Sequence, residues 1–523
     1  MKFFMSLRNF VFWGSTTLFF VACSDTTSSM VEDELLNFDN DIASSSSRIS
    51  EDGGSAAGEE KDCIGESGKT WDGTTAKEFA CGTGTKLNPY IIKTAEQLAH
   101  LSFVIGAKDK DYLEKYYKLG ADIILNDGEI INEKGGLAAD STKLHKWTPI
   151  GNSSVAFAGS FDGDGHTVSG MFINTTSTHN GLFGHSSGTV QNLTVENGWV
   201  MGGKYTAGVV GMNDKGLLKN LTNKGSVVGV GEFTGGIVGS CQSTTSGKET
   251  IISHSYNYGV ITGKNSTGGI AGQAYYAQID TVANYGSVDG ATNVGGVVGK
   301  VGYSLLSSYY ISAKKMENYG DIVGTKYTGG VVGLCGTSSC SSSDYVLKCG
   351  TVNDAGNYGK ITGKDFTGGL MGYVCKGPVK GVVNEGDVEG TSYVAGLFGE
   401  SAYATTSSLV NRGDVVGVSR VGGISGYNAE GITSSAYSTG KVDGDSLVGL
   451  MIGYNYNTTM ADYYYLKQGE QEPFGKNDGG GVATQKTEKE MRSEDFANLL
   501  GDNFIYNSEI NNGYPILKWE LEE

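Results

Sequence analysis

The sequence predicts an all-β chain, a parallel β-helix or solenoid of about ten coils with small helix-containing caps at both ends. Three observations predict it. A Gly-apolar-apolar-Gly string recurs ten times, from Gly181–Gly184 to a stretched Gly449–Gly453. Successive first glycines are 27, 28, 33, 27, 34, 39, 27, 27 and 26 residues apart, a base period of 27 with three lengthened units. Each unit has a second half in which Asn-x-Gly precedes β-branched residues, as in Asn284–Val288, Asn318–Ile322 and Asn384–Val388. The third observation is composition: 82 Gly but 5 Pro in 523 residues, with 38% hydrophobic and 10% aromatic side chains. That apolar content excludes disorder, and the lack of a Gly triplet excludes collagen. Short β-branched runs bounded by Gly, with few prolines, read as strands, and repetition at this period reads as coils. The glycines are expected to serve turns of positive φ and places where coils approach closely.

At the start of the chain, Lys2 and Arg8 precede a mostly apolar stretch over residues 10–22. Such a stretch is shorter than the ~20 apolar residues of a membrane span and fits the core of an export signal. Phe20-Val21-Ala22-Cys23 resembles a bacterial lipobox. That resemblance makes residues 1–22 a lipoprotein signal peptide, with Cys23 lipidated as the new N-terminus. It places the protein at the bacterial outer membrane or cell surface. Residues 23–62 follow as a Ser-rich acidic tether. Eleven acidic side chains oppose Arg48 and Lys61 there, giving −9 of the total −18. A segment so charged cannot order itself by burying apolar surface. The acidity also argues against nucleic-acid binding, which needs basic patches.

Residues 63–146 are expected to form an N-terminal cap and leading coils. Thr94-Ala95-Glu96-Gln97 is a capping box opening a helix with Leu98, Leu101, Phe103 and Val104 on its apolar side. Residues 147–453 are the repeat array. Gly181-Leu182-Phe183-Gly184 and its relatives resemble the GLUG motif of large bacterial surface proteins, and Phe157–His166 resembles the segment that opens such arrays. The resemblance implies a β-helix in an extracytoplasmic setting and no defined activity. Residues 454–523 are expected as a C-terminal cap. Thr487-Glu488-Lys489-Glu490 starts a helix that stops at Gly501, and Gly513–Trp519 forms a covering strand.

Stacking turns the period into columns. Asn223, Asn257, Asn284, Asn318, Asn357, Asn384 and Asn411 hold one place in successive units and are expected to form a structural amide ladder. The next residue reads Lys224, Tyr258, Tyr285, Tyr319, Tyr358, Glu385 and Arg412. Tolerance of charge there implies exposure. Tyr258, Tyr285, Tyr319 and Tyr358 are therefore the candidate binding strip. Their rings stack either on sugar faces or on one another.

Other motifs carry less. Gly65–Thr70 ends like a phosphate loop, but Cys63 stands where the first Gly belongs. Asp162-Gly163-Asp164-Gly165 lacks the further ligands of a calcium loop, with Ile173 at the twelfth position. His166, His179 and His185 find no completing ligand, and no cofactor or metal is expected. In an oxidising compartment, Cys63 is expected to pair with Cys81, Cys335 with Cys375 and Cys340 with Cys349, leaving Cys241 free. A zinc set of Cys335, Cys340 and Cys349 would lack a fourth ligand.

The expected function is a lipid-anchored adhesion or binding scaffold, not an enzyme, meeting the membrane through its anchor and a polysaccharide or surface protein through its rod. The alternatives are a carbohydrate-active β-helix lyase or hydrolase, and an envelope component without a ligand. The enzymatic candidates are Asp321, Asp387 and Asp414, which share a column with Lys360, and a salt-bridged surface accounts for them more simply.

Overall fold

Within the Gly-rich array the chain returns to the same register every 27 to 39 residues and pairs with itself in parallel. The computed structural model describes residues 63–243, 249–302, 311–342 and 349–522. The signal segment 1–22, the lipidation site Cys23 and the tether to residue 62 lie outside the described residues.

One coil contains four segments. In a representative coil these are Ala277–Asn284, Val288–Asp289, Thr292–Gly295 and Val298–Val301. Each pairs in parallel with its counterpart one unit away: Asn257 opposes Asn284, Ile261 opposes Val288, Thr267 opposes Val294 and Ala271 opposes Val298. The third and fourth segments build parallel sheets of nine and eleven strands among the described residues. The chain is thus a parallel β-solenoid. Pairing starts before the Gly-rich units, since Tyr90–Ile92 opposes Tyr117–Leu119 and Tyr116–Lys118 opposes Ser160–Asp162. It also runs past residue 453. Ile452–Tyr456 is followed by Phe474–Asn477, and Thr459–Leu466 by Thr484–Lys486.

Each coil turns a β-branched or Leu column inward. Ile261, Val288, Ile322, Ile361, Val388 and Val415 are stacked in register and fully buried. A period-two strand can bury only alternate residues, so the intervening Thr262, Asp289, Val323 and Glu389 face out. The left-handed positions of the coil differ from expectation. From Gly208 to Gly453 the motif glycines do not occupy the left-handed region. Left-handed backbone recurs instead at other residues, such as Thr281 (φ 52°), Lys315 (φ 50°), Tyr327 (φ 54°), Phe366 (φ 57°) and Tyr393 (φ 56°). The glycines are present because of contact: a Cβ on Gly330 would collide with the Gly369 carbonyl and the Asn357 carboxamide.

Helix α1, Ala95–Gly106, closes the leading end. Thr94 and Gln97 form the expected capping box, and Leu98, Leu101, Val104 and Ile105 join the solenoid core. Phe103 departs from the expected apolar face and is 66% exposed.

The C-terminal helices pack beside the trailing coils. The expected single helix is two, α2 at Glu488–Met491 and α3 at Glu494–Leu500, because Ser493 caps a second start by accepting from the Phe496 N–H (3.2 Å). The expected covering strand is Ile516–Leu517, which pairs antiparallel with Phe504–Ile505 of the same segment. This segment lies along the side of the rod. Val383, Val410, Tyr437 and Tyr464, an in-register column on the outer face of the long strands, are buried by Met491, Phe496, Leu500, Phe504, Leu517 and Trp519. Four outward apolar side chains in a row need a cover, which explains the lateral docking.

Candidate functional site

The site is built on the turn after the first segment. All seven ladder asparagines, Asn223 to Asn411, are fully buried inside the coil. Each Nδ2 donates to the Oδ1 of the next asparagine at 2.7–2.9 Å, from Asn223–Asn257 to Asn384–Asn411. The same nitrogen donates to the carbonyl two residues on, as from Asn284 to Gly286 (2.7 Å), which holds the Asn-x-Gly turn. Asn411 ends the ladder on Ser438 Oγ (3.3 Å). With each asparagine pointing inward, the following residue points outward.

That residue is the tyrosine strip. Tyr258, Tyr285 and Tyr319 are 50%, 42% and 41% exposed, and Tyr358 is half-buried. Ring centroids lie 4.7, 4.9 and 4.7 Å apart, with planes within 6°, 6° and 11° of parallel. The rings therefore cover one another's faces. What the strip offers a ligand is ring edges and hydroxyls, so stacking a sugar on its inner faces is ruled out by geometry.

Beside the strip lies a cavity of about 420 Å³. Tyr285, Tyr319 and Tyr358 form one wall, Thr281, Lys315 and Glu317 line the sheet floor, and Trp519, Glu520 and Glu522 close it from the C-terminal segment. Trp519 is fixed by donating Nε1–H to the Gly381 carbonyl (2.8 Å). Arg412, in the tyrosine column two coils beyond Tyr358, is buried against Glu520 at 2.7 Å and Glu385 at 2.5 Å. Lys315 Nζ reaches the Glu522 carbonyl at 3.2 Å and its carboxylate at 3.7 Å. Tyr319 donates its hydroxyl proton to Glu317 Oε1 (3.0 Å). Burial, and then the neighbouring Glu317 charge, pushes the Tyr319 hydroxyl well above the usual phenol range. The C-terminal wall was invisible in the sequence: residues 487–522 are distant from Tyr285 along the chain, and no repeat links them.

The remaining candidates resolve into structural roles. Asp321 Oδ1 accepts the Lys360 N–H (3.0 Å), Asp387 that of Asp414 (3.1 Å), and Asp414 that of Lys441 (2.8 Å). This carboxylate column stitches coil to coil, and Lys360 pairs with Glu389 at 3.2 Å. Asp162 accepts from Asp164 N–H, Gln191 and Asn192, and Asp164 pairs with Lys118. His166 bonds Asp122 (3.1 Å). His179 and His185 lie 5.5 Å apart, and burial followed by His185 and Lys204 pushes His179 down to about 4. Among the described residues no group of three or more metal-ligating side chains converges.

The cysteines correct one expectation. Cys63 pairs with Cys81, with Cα atoms 4.9 Å apart. Cys335 bonds Cys349 and Cys340 bonds Cys375, at Cα separations of 4.8 and 5.6 Å, in place of the expected 335–375 and 340–349 pairs. Register supplies the reason. Cys335 opposes Val374, not Cys375, across the sheet, and a residue one further along a strand points to the other face. The insertion crosses the outer face to reach Cys375, which lies in an outer cluster with Tyr327, Leu334 and Tyr373. Cys241 is free and buried.

Sequence reading missed a second aromatic column. Tyr327, Phe366 and Tyr393 stack at 4.9 and 4.5 Å, and Arg420 covers Tyr393 at 4.7 Å. It went unseen because Ser266 and Asn293 interrupt it within the array. Glu400 sits in register between Tyr373 and Tyr427 beside it.

No family model matches the chain. A 125-residue stretch, 23% of the chain, is 35% identical to a protein of Evansella cellulosilytica provisionally named a Gly-rich membrane protein. A 155-residue stretch, 27% of the chain, is 30% identical to halomucin of Haloquadratum walsbyi. The matches span 12% and 2% of those proteins' own lengths. Among solved structures, a provisionally assigned immunoglobulin A1 protease from Bacteroides ovatus aligns at 15% identity and a TM-score of 0.31, over 84% of this chain and 95% of that one.

Proposed function

We propose that this is an exported, lipid-anchored protein of the GLUG-repeat type, whose rod binds a polysaccharide or surface partner in the groove beside the tyrosine ladder. Binding rather than turnover is the proposed activity. The observation that carries it is the 420 Å³ cavity between Tyr285, Tyr319 and Tyr358 and the docked Trp519–Glu522. Its volume falls within the ~300–1,000 Å³ range of ligand sites, and aromatic edges with a few polar groups suit a hydroxyl-rich ligand. The name of the Evansella relative, a membrane protein, supports the membrane setting, as does the lipobox-like Phe20–Cys23.

Two measurements test the reading. The intact protein should be retained on insoluble polysaccharide, and Tyr285→Ala with Tyr319→Ala should abolish retention. Unchanged retention removes the groove. Cys23→Ser should move the protein from the membrane to the soluble fraction, and protease shaving of intact cells should cleave it if it faces outward.

A further inference from the structure

We propose that the groove recognises the protonated amine of an amino sugar, held by Glu317. This rests on the polymer-binding reading above and names its ligand class.

The charges around the cavity are unequally paired. Glu520 faces the Arg412 guanidinium at 2.7 and 3.1 Å and also accepts the Leu517 N–H (2.6 Å). Glu522 faces Lys315. Glu317 accepts from the Tyr319 hydroxyl alone and forms no ion pair among the described residues. It is therefore the one carboxylate of the cavity lining without a cation, oriented by Tyr319 and walled by Tyr285 and Tyr358. A carboxylate beside apolar walls gains more from a cationic donor than from a neutral hydroxyl, because opposite charges add Coulomb attraction to the hydrogen bond where little water screens it. Lys315 faces Glu522, and Arg412 faces Glu385 and Glu520, so a cationic group on the ligand would supply the partner that Glu317 lacks.

The repeat of the wall selects the polymer. Successive tyrosines stand 4.7–4.9 Å apart. An extended peptide advances ~3.3 Å per residue, so it does not place one residue per coil and only about every third residue comes back into step. A pyranose chain laid along the rod advances by close to one ring per coil, so each sugar meets an equivalent tyrosine edge. Trp519, Glu520 and Glu522 wall the same cavity that Glu317 lines.

Calorimetry of the intact protein with four soluble probes tests this: β-linked tetramers of glucosamine, N-acetylglucosamine and glucose, and tetralysine. The glucosamine tetramer should bind tightest. Glu317→Gln should weaken it about tenfold and leave the acetylated tetramer unchanged, while Glu509→Gln, a remote exposed carboxylate, should change neither. Gln can still accept from Tyr319, and an unaltered melting temperature will show that Glu317→Gln remains folded. Equal affinity for the amine and acetylated tetramers, or no effect of Glu317→Gln, overturns the amine assignment but leaves polymer binding standing if Tyr285→Ala still abolishes it. Tighter binding of tetralysine overturns the amino-sugar assignment in favour of a basic peptide. Absence of binding by any probe overturns this inference, and polysaccharide retention decides the broader reading separately.

Discussion

Gly296 packs directly against the carboxamide of Asn318. A Cβ on Gly296 would fall inside contact distance of Asn318 Cγ and Oδ1 and of the Gly330 carbonyl. The same pairing recurs for Gly236 with Asn257, Gly269 with Asn284, Gly330 with Asn357 and Gly369 with Asn384. The two halves of the repeat, Gly-x-x-Gly and Asn-x-Gly, are thus the two sides of one contact across the coil interior.

Gly296→Ala should accordingly destabilise the rod by about 1–3 kcal/mol, the range for overpacking a dense core. Thermal unfolding followed by circular dichroism measures it. A melting temperature within experimental error of the parent would show that the coil has room to relax and that the glycine is not needed for contact.

Asn318 sits mid-ladder, so Asn318→Ala takes the donor from the Oδ1 of Asn357 and the carbonyl of Gly320, and leaves the Nδ2 of Asn284 with the Gly286 carbonyl alone. Each buried unpaired group costs about 1–3 kcal/mol, and the variant should be among the least stable single substitutions. Asn411→Ser should be milder, because Ser438 already occupies the next position in that column. Denaturant midpoints for the two variants should differ in that order.

Non-reducing peptide mapping should recover the 335–349 and 340–375 disulfides. Cys241 is buried, and desolvation pushes its thiol up to about 12. Alkylating reagent should leave it unmodified in the native protein and label it after unfolding, since the thiolate is the reactive form. Rapid native labelling would contradict its placement.

Glu400 supplies a pH dependence. Burial among the outer aromatic side chains raises its carboxyl to about 7, against the lowering effects of the Tyr373 hydrogen bond and the Arg420 charge. The folded state therefore holds this proton more tightly than the unfolded one. Its stabilising contribution is complete below the ordinary carboxyl range and is lost as pH rises through about 7. The melting temperature should fall by a few degrees over that window, and Glu400→Gln should flatten the fall.

Much of the architecture was legible in the residues because a repeat states each contact many times. The ladder asparagines and the outward tyrosines follow from period and alternation alone. Two features present once were not legible. The lateral docking of residues 487–522 depends on Val383, Val410, Tyr437 and Tyr464 lining up on one outer face, which requires knowing the register. The Cys335–Cys349 and Cys340–Cys375 pairs turn on a single residue of register, which sequence spacing does not resolve.

By itself, then, the sequence determined the coil, its 27-residue period and which columns point in or out, since a strand of alternating polarity has one way to bury its apolar face. The tertiary structure decided why the glycines are there. In the array they relieve contact with asparagine side chains and neighbouring carbonyls, whereas left-handed backbone falls on residues such as Thr281 and Tyr327. It also decided that the tyrosine rings face each other, not solvent, and that a groove exists at all. Both depend on distances between side chains in different coils and in a segment folded back over them, which no local pattern along the chain encodes.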